Sequence, residues 1–287
     1  MESSLYNSFL KKISGVVVWY NPKDEHVLNI LSYIDWIDKL YIFDNSSKNN
    51  ESFLKKIEKY KEKIEYISFL ENKGISEALN YAGEKALKEN YKWLLTMDQD
   101  SKFEKETFID YYKYLSEKNT AIISPNYIYT GKEVSVNRKF EFEELKRVIT
   151  SGNLLNLEIF EILNGFDNKL FIDEVDHEYC YRVIERNYRI LKINSVFLEH
   201  SLGETKIKKI LGIKVKYTEH SPIRKYYIWR NRIFVGQKYS NIKKEYINFL
   251  IKDFLKIVFF EENKILKLKM VILGIKDYKK NIFGVKK

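Results

Sequence analysis

A chain of 287 residues and 34.5 kDa suits one large α/β domain or a core domain with an appendage, and is too short for two full-sized enzymes. With 45% hydrophobic and 15% aromatic residues global disorder is excluded, and the one cysteine, Cys180, excludes a disulfide framework and a cysteine-based zinc site. The net charge of +10 is uneven: residues 201–287 hold 22 Lys and Arg against seven Asp and Glu, while the rest of the chain is mildly acidic.

No apolar run is long and uncharged enough for a membrane-spanning helix, and Met1 to Lys12 lack the features of a signal peptide, so a cytosolic protein is expected. Gly15 to Trp19 is a β-branched run without alternation, as suits a strand buried on both faces, and it ends at the turn Tyr20-Asn21-Pro22. Asp24 then caps a helix with Val27, Leu28, Leu31, Ile34 and Ile37 on its apolar face. Leu40 to Phe43 reads as a second strand, followed by Asp44-Asn45-Ser46-Ser47. Phe53, Leu54, Ile57 and Tyr60 mark a helix, Ile64 to Phe69 a third strand, and Ser76 to Glu89 a further helix. Trp93 to Met97 is a fourth strand running into Asp98-Gln99-Asp100. Strands alternating with helices imply right-handed βαβ units and a mainly parallel sheet.

Beyond Ser101 the spacing predicts strands at Thr120–Ser124, Thr150–Leu155 and Tyr188–Leu198. A loop from Phe166 to Asp173 leads into a helix carrying Val175 to Arg182. From Pro222 the chain reads as helical and basic, with later segments at Tyr246–Phe260 and Ile265–Ile275.

In parallel sheets ligands bind beyond the carboxyl ends of the strands. The ends here carry Tyr20-Asn21, Asp44-Asn45-Ser46, Asn72 and Asp98/Asp100, all able to contact a nucleotide. Neither a Gly-x-Gly-x-x-Gly turn nor a Walker loop is present, which argues against a dinucleotide dehydrogenase and a P-loop NTPase. Two carboxylates at i and i+2 after a buried strand are hard oxygen ligands, suited to Mg²⁺ or Mn²⁺ bridging a diphosphate. A neutral imidazole at His200, after the late strand, could complete such a shell. His220 is a weaker candidate, and His26 and His177 read as surface residues. For Asp44-Asn45-Ser46 and for Asn72-Lys73-Gly74 the structural alternative is an ordinary Asx turn.

Taken in order, Tyr20-Asn21-Pro22, Asp44-Asn45-Ser46, Asn72-Lys73-Gly74-Ile75 with Ala78-Leu79-Asn80, and Met97-Asp98-Gln99-Asp100-Ser101 resemble the inverting family 2 glycosyltransferases of the GT-A fold. Ser151-Gly152, Gly165-Phe166-Asp167, Phe171-Ile172-Asp173-Glu174-Val175-Asp176-His177-Glu178-Tyr179-Cys180-Tyr181-Arg182, Glu199-His200-Ser201-Leu202-Gly203 and Arg224 to Asn231 extend the resemblance, toward the bacterial rhamnosyltransferase branch. It covers roughly residues 13–235. It implies an α/β fold: a Rossmann-like mixed sheet flanked by helices. The expected division is a GT-A domain over 1–235, with a nucleotide-sugar half at about 13–101 and an acceptor half at about 102–235, followed by a basic helical extension over 236–287.

The resemblance also implies roles. Asp44 would bond the nucleobase, Asn72 and Gly74 would line the nucleotide site, Asp98 would contact ribose or the metal, and Asp100 would ligate the metal. Inverting transfer needs a base for the acceptor hydroxyl. Alignment on Arg182 puts Asp176 there, with Asp173 competing; the alternative is that these acids serve only the helix dipole. Glu178 and Arg182, at i and i+4, suit a pair along the helix. Arg224, Tyr226, Tyr227, Arg230 and Asn231 form a basic aromatic face that would close over the site and offset diphosphate charge. The alternative is an amphipathic helix with Tyr227, Trp229 and Phe234 in the core.

Residues 243–280 mix Phe249, Leu250, Phe254, Leu255, Val258 and Phe259 with lysines, which suits a helix resting on anionic lipid or a homodimer interface. The expected activity is metal-dependent transfer of a sugar, with dTDP-L-rhamnose as donor and a saccharide as acceptor, possibly lipid-linked at the inner membrane surface, in bacterial cell-surface polysaccharide synthesis. Two other classes stay open: a non-catalytic nucleic-acid-binding module, suggested by the pI of 9.2 and 22 Tyr, and a nucleotidyltransferase. The acidic crevice and the absence of a phosphate loop after Trp19 count against them, and no nucleic-acid partner is expected.

Overall fold

The structure, a computed structural model, describes residues 13–129, 140–200, 205–210 and 213–286. The sequence readings at Met1–Lys12 and at Ser201-Leu202-Gly203 lie outside the described residues. The chain divides into two compact units. The first runs to Phe166 and resumes from Tyr179 to Ser201, and the second takes Asp167–Glu178 and the chain from Leu202 onward.

The first unit is built on a mixed nine-stranded sheet. Strands β1 (Ile13–Trp19), β2 (Lys39–Asp44), β3 (Ile64–Ser68) and β4 (Trp93–Asp98) form its parallel half, in the order β3-β2-β1-β4. β1 is interior on both faces, which is why its sequence shows no alternation. Beyond β4 come β8 (Asn153–Asn156), β6 (Thr120–Tyr129), β9 (Arg189–His200) and β5 (Ser101–Phe103), with β7 (Phe142–Glu144) also on β9. β8 runs antiparallel to β4 and to β6, whereas β6 and β9 are parallel, so the sheet is mixed as expected.

The helix expected over residues 24–37 is shorter. α1 spans Asp24–Asn29 and gives way to two 3₁₀ turns, Ile30–Ser32 and Ile34–Trp36, with Tyr33 between them off helical geometry at φ −138°. The break keeps Val27, Ile30, Ile34 and Ile37 in the core while Leu28 and Leu31 stay exposed. The segment Glu51–Lys63 is likewise 3₁₀, interrupted at Ile57. α2 (Ile75–Lys88) forms close to its expected bounds. α3 (Leu157–Ile162) was not anticipated; Asn156 Oδ1 caps it by accepting from the amides of Glu158 and Ile159. α4 spans Val175–Glu185. The core joins Val17, Ile42, Leu95 and Met97 with Ile123, Leu154 and Leu191 across the sheet.

The second unit holds a hairpin of β10 (Thr205–Ile210) and β11 (Ile213–Thr218), absent from the sequence reading, and helices α5 (Pro222–Lys238), α6 (Lys243–Phe259) and α7 (Lys264–Lys279). Ser221 accepts from the Arg224 amide and Pro222 sits in the first turn, the usual opening of a helix. A small core of Phe171, Tyr226 and Tyr227 packs with Met270 and Leu273. Beside it lies an ionic network: Lys225 Nζ stands 2.6 Å from Asp253 and 2.8 Å from Glu261, and Lys267 Nζ 2.9 Å from Glu261 and 2.6 Å from Glu219. Asp253 and Glu261 lie below the ordinary carboxylate range: burial opposes their ionisation, but Lys225 outweighs it. No helix among the described residues is long and apolar enough to cross a membrane.

Candidate active site

Strand register creates the rim of the site. Trp19 pairs with Asp44, Val18 with Asp98, and Asp44 with Ser68, so the carboxyl ends of β1, β2, β3 and β4 come level. Asp98 and Asp44 thereby flank the end of β1. Gln99 ties the rim together: its side chain accepts from the Tyr20 amide at 2.8 Å and donates to Tyr20 O at 3.2 Å, as a neighbouring strand would. Its own carbonyl accepts from Asn29 Nδ2. Tyr20 itself is exposed, and Asn21, at φ 48°, donates its amide to Ser46 Oγ at 2.7 Å.

Asp44 is wholly buried. Its Oδ1 accepts from the Ser46 amide, and its Oδ2 from Asn50 Nδ2 at 2.8 Å and Tyr66 OH at 2.6 Å. Burial, reinforced by the bond to Asp44, pushes the Tyr66 phenol up to about 12. The Asx turn weighed from sequence is therefore present at Asp44. Asn72 makes a second one, Oδ1 accepting from the Gly74 amide at 2.9 Å. Gly74, at φ 87°, is the residue before α2, a backbone setting that other residues rarely adopt. Asn45 joins the two turns, accepting from the Lys73 amide and donating to Gly74 O.

Asp98, Asp100 and His200 converge: one ligand atom from each lies within 4.8 Å of the others. His200 comes from the far side of the sheet, where the antiparallel β5–β9 register sets it opposite Ser101. Ser101 Oγ lies 2.8 Å from His200 Nδ1 and Asp100 Oδ1 3.8 Å from it. Burial lowers the His200 pKa, with Asp100 opposing, so the imidazole is neutral near pH 7 and has a lone pair to give. Two hard carboxylates and one neutral imidazole fit a divalent cation such as Mg²⁺ or Mn²⁺. The Asp98 amide donates to Ser151 Oγ at 3.0 Å.

The acidic loop belongs to the second unit. Asp173 and Glu174 both have left-handed backbones, at φ 65° and 66°. Arg224 meets Asp173 side-on, through Nε at 3.2 Å and Nη2 at 3.1 Å. Burial still raises the Asp173 pKa against that partner. Glu174 accepts from Arg232 Nε, Tyr246 OH and His177 Nδ1. Burial works against its ionisation, but His177, Arg232 and Tyr246 together bring it down to about 2. Asp176 is half-buried, and among the described residues its carboxylate makes one hydrogen bond, to the His177 amide at 2.8 Å, and no ion pair. Glu178, expected to pair with Arg182 along its helix, is buried and accepts from Lys238 and Tyr239.

On α5 the expected basic face divides. Arg224 is exposed, whereas Arg230 is fully buried, donating to Gly284 O at 2.8 Å and to Asn231 Oδ1 at 3.0 Å under the rings of Tyr226 and Tyr227. Tyr227 is buried, stacked on Phe171, and its hydroxyl accepts from the Lys286 amide. Asn231 donates to the carbonyls of Ile172 and Asp173, so α5 grips the acidic loop by its backbone. His26, expected on the surface, is instead buried with its pKa lowered by that burial, and His177 is half-buried on Glu174. Gln99, Asn45 and Ser151 were quoted within motifs but given no role. Their side-chain contacts depend on segments 25–80 residues away, which local spacing does not reveal.

The family model for glycosyl transferase family 2 matches residues 25–180. Over 95% of its length the chain is 27% identical to the dTDP-rhamnosyl transferase RfbF of Shigella flexneri, of which it covers 97%. Among solved structures, residues 1–349 of S. aureus TarS in complex with UDP-GlcNAc resemble it at a TM-score of 0.61 and 16% identity, over 94% of this chain and 81% of that one. GalNAc-T7 with UDP, GalNAc and Mn²⁺ does so at 0.60 and 13%, over 95% of this chain; this chain spans little more than half, 57%, of that protein. The two structural likenesses are likenesses of fold.

Proposed function

The chain belongs to glycosyl transferase family 2, and from its likeness to a dTDP-rhamnosyl transferase we propose that it moves L-rhamnose from dTDP-L-rhamnose onto a saccharide hydroxyl with inversion at the anomeric carbon. That it is a GT-A glycosyltransferase acting on a nucleotide-sugar follows from the family and the fold. The grouping of Asp98, Asp100 and His200 at the strand rim carries the mechanistic reading. The donor is supported by the near full-length match to a dTDP-rhamnosyl transferase.

In this reading Asp98, Asp100 and His200 would hold a divalent ion, and the chemistry it would supply is counter-charge for the diphosphate leaving group. Asn72 and the Gly74 backbone line the nucleotide, and Tyr20, exposed at the end of β1, offers a face to it. Asp44 reaches the nucleobase edge if its buried carboxylate keeps a lone pair beyond those used by Ser46, Asn50 and Tyr66. The acceptor oxygen attacks the anomeric carbon as its bond to the β-phosphate oxygen breaks, and the acceptor proton passes to the Asp176 carboxylate. Asp176 suits that task better than Asp173, whose two oxygens face the Arg224 guanidinium. Arg224 holds Asp173. The acceptor is a saccharide of a bacterial cell-surface polysaccharide.

Calorimetric titration of dTDP-rhamnose, dTDP-glucose, UDP-GlcNAc and UDP-galactose, with Mn²⁺ or with EDTA, tests the proposal. The expected result is at least about tenfold tighter binding of dTDP-rhamnose with Mn²⁺, a difference of roughly 1.4 kcal/mol. Tighter binding of a UDP-sugar overturns the donor, and binding indifferent to EDTA overturns the metal site.

A further inference from the structure

A helix packed on a protein in water normally turns its apolar side inward and its charges outward. α6 departs from this in part. Its inward side carries Asp253, only 6% exposed and bonded to Lys225 and Trp229, beside Tyr246 and Ile257. Its outward side carries Ile247, Ile251, Phe254 and Leu255, of which Ile251 is 52% and Phe254 42% exposed. At 100° per residue these four lie within an arc of about 100°. Lys243 and Lys252 stand on either side of the arc and Lys244 lies within it, all exposed. The helix's acids are not exposed: Asp253 is buried and Glu245 half-buried. Just beyond the following turn, Ile265 and Leu266 are exposed between Lys264 and Lys269. Single exposed apolar side chains are ordinary, but a group of them on one helix face, set among lysines with Asn248 and, past the turn, Glu262 at the edge, marks a binding face.

Charge selects the occupant. A second copy seated by a two-fold axis would bring Lys243, Lys244 and Lys252 against the same residues, with no exposed acid on the helix to meet them. A nucleic acid would satisfy the lysines and leave the aliphatic stripe against phosphates. An anionic bilayer meets both, taking the aliphatic groups among its acyl chains and the ammonium groups among its phosphates. We propose that the outward face of α6, with Ile265 and Leu266, is the surface by which this protein rests on an anionic lipid membrane. The inference is independent of which sugar is transferred.

Flotation of the full chain with phosphatidylcholine vesicles, with and without a third of phosphatidylglycerol, tests it. The protein should float with the anionic vesicles and stay behind with neutral ones. A double variant, Ile251→Asp with Phe254→Asp, should cut the bound fraction at least about tenfold, while its thermal melt and Mn²⁺-dependent nucleotide binding match the parent. Lys244→Ser and Lys252→Ser should each cost about fivefold at low salt. The proposal is overturned if the parent protein stays at the bottom with anionic vesicles, or if the double variant floats equally well. It is also overturned if light scattering shows a stable dimer that the double variant dissociates, since a second copy would then cover the face.

Discussion

Ser101 and His200 face each other across the β5–β9 pair, with the serine Oγ 2.8 Å from the imidazole Nδ1. The bond orients a ring grouped with Asp98 and Asp100, and such supporting contacts commonly tune a metal site by tenfold or more. Asp100→Ala and His200→Ala are expected to abolish the gain in nucleotide affinity on adding Mn²⁺. Ser101→Ala should reduce that gain by about tenfold. Calorimetry in Mn²⁺ and in EDTA reads both, and unchanged Mn²⁺ dependence in Asp100→Ala would remove the residue from the site.

Asp176→Asn keeps the size of the side chain and removes its capacity to take a proton. Transfer should fall by about 10²–10⁴-fold with nucleotide affinity unchanged. Arg224→Ala frees Asp173 from its side-on partner and should slow transfer less. If Asp176→Asn turns over normally while Asp173→Asn is dead, the base is Asp173.

Groups in the second unit make stability depend on pH in two windows, with Glu174 acting in the lower beside Glu219, Asp253 and Glu261, and His220 in the upper. Glu174 titrates at about 2 rather than 4.5, so the folded state binds this proton less readily than the unfolded chain. Its contribution is complete above pH 4.5 and is lost as pH falls toward 2. His220 is lowered from 6.5 to about 4, by burial first and then by Arg224, Lys256 and Lys225. Its contribution is complete above pH 6.5 and is lost as pH falls from there toward 4. Melting temperature should therefore decline in two stages on acidification, with His220→Gln reducing the upper stage, which His26 and His200 share, and Glu174→Gln the lower, which Glu219, Asp253 and Glu261 share. A flat profile from pH 7 to 4 in the parent protein would contradict the His220 assignment.

Gly274 lies where α7 crosses α5, and a Cβ there would stand 2.6 Å from Tyr226 O and 3.4 Å from Arg230 N. Alanine in a helix interior ordinarily stabilises by up to about 1 kcal/mol over glycine. Here the clash is with backbone, which yields little, so Gly274→Ala should destabilise by about 1–3 kcal/mol. Urea unfolding reads the sign directly, and a stabilised variant would mean that the helices separate easily.

Tyr20, Asp44, Asn72, Asp98 and Asp100 were legible as a strand-end set from order alone. In a parallel βαβ array, every strand must deliver its last residue to the same edge, and the register of Val18 with Asp98 and Trp19 with Asp44 follows from that geometry. The break of the first helix at Tyr33 was not legible. Its apolar spacing is helical, and only the core beneath selects Ile30 and Ile34 over Leu28 and Leu31.

The order of parallel strands and helices and the Asp-x-Asp after β4 were thus set by the sequence itself, through local patterning that needs no distant partner. Tertiary structure alone decided which groups meet across long separations: His200 beside Asp100, Arg224 on Asp173, and Arg230 buried against Gly284 O instead of facing outward. It also decided which side of α6 faces out. Periodicity shows that a helix has two faces, but only the ionic network of Lys225, Asp253 and Glu261 shows that Asp253 was turned inward with Tyr246 and Ile257.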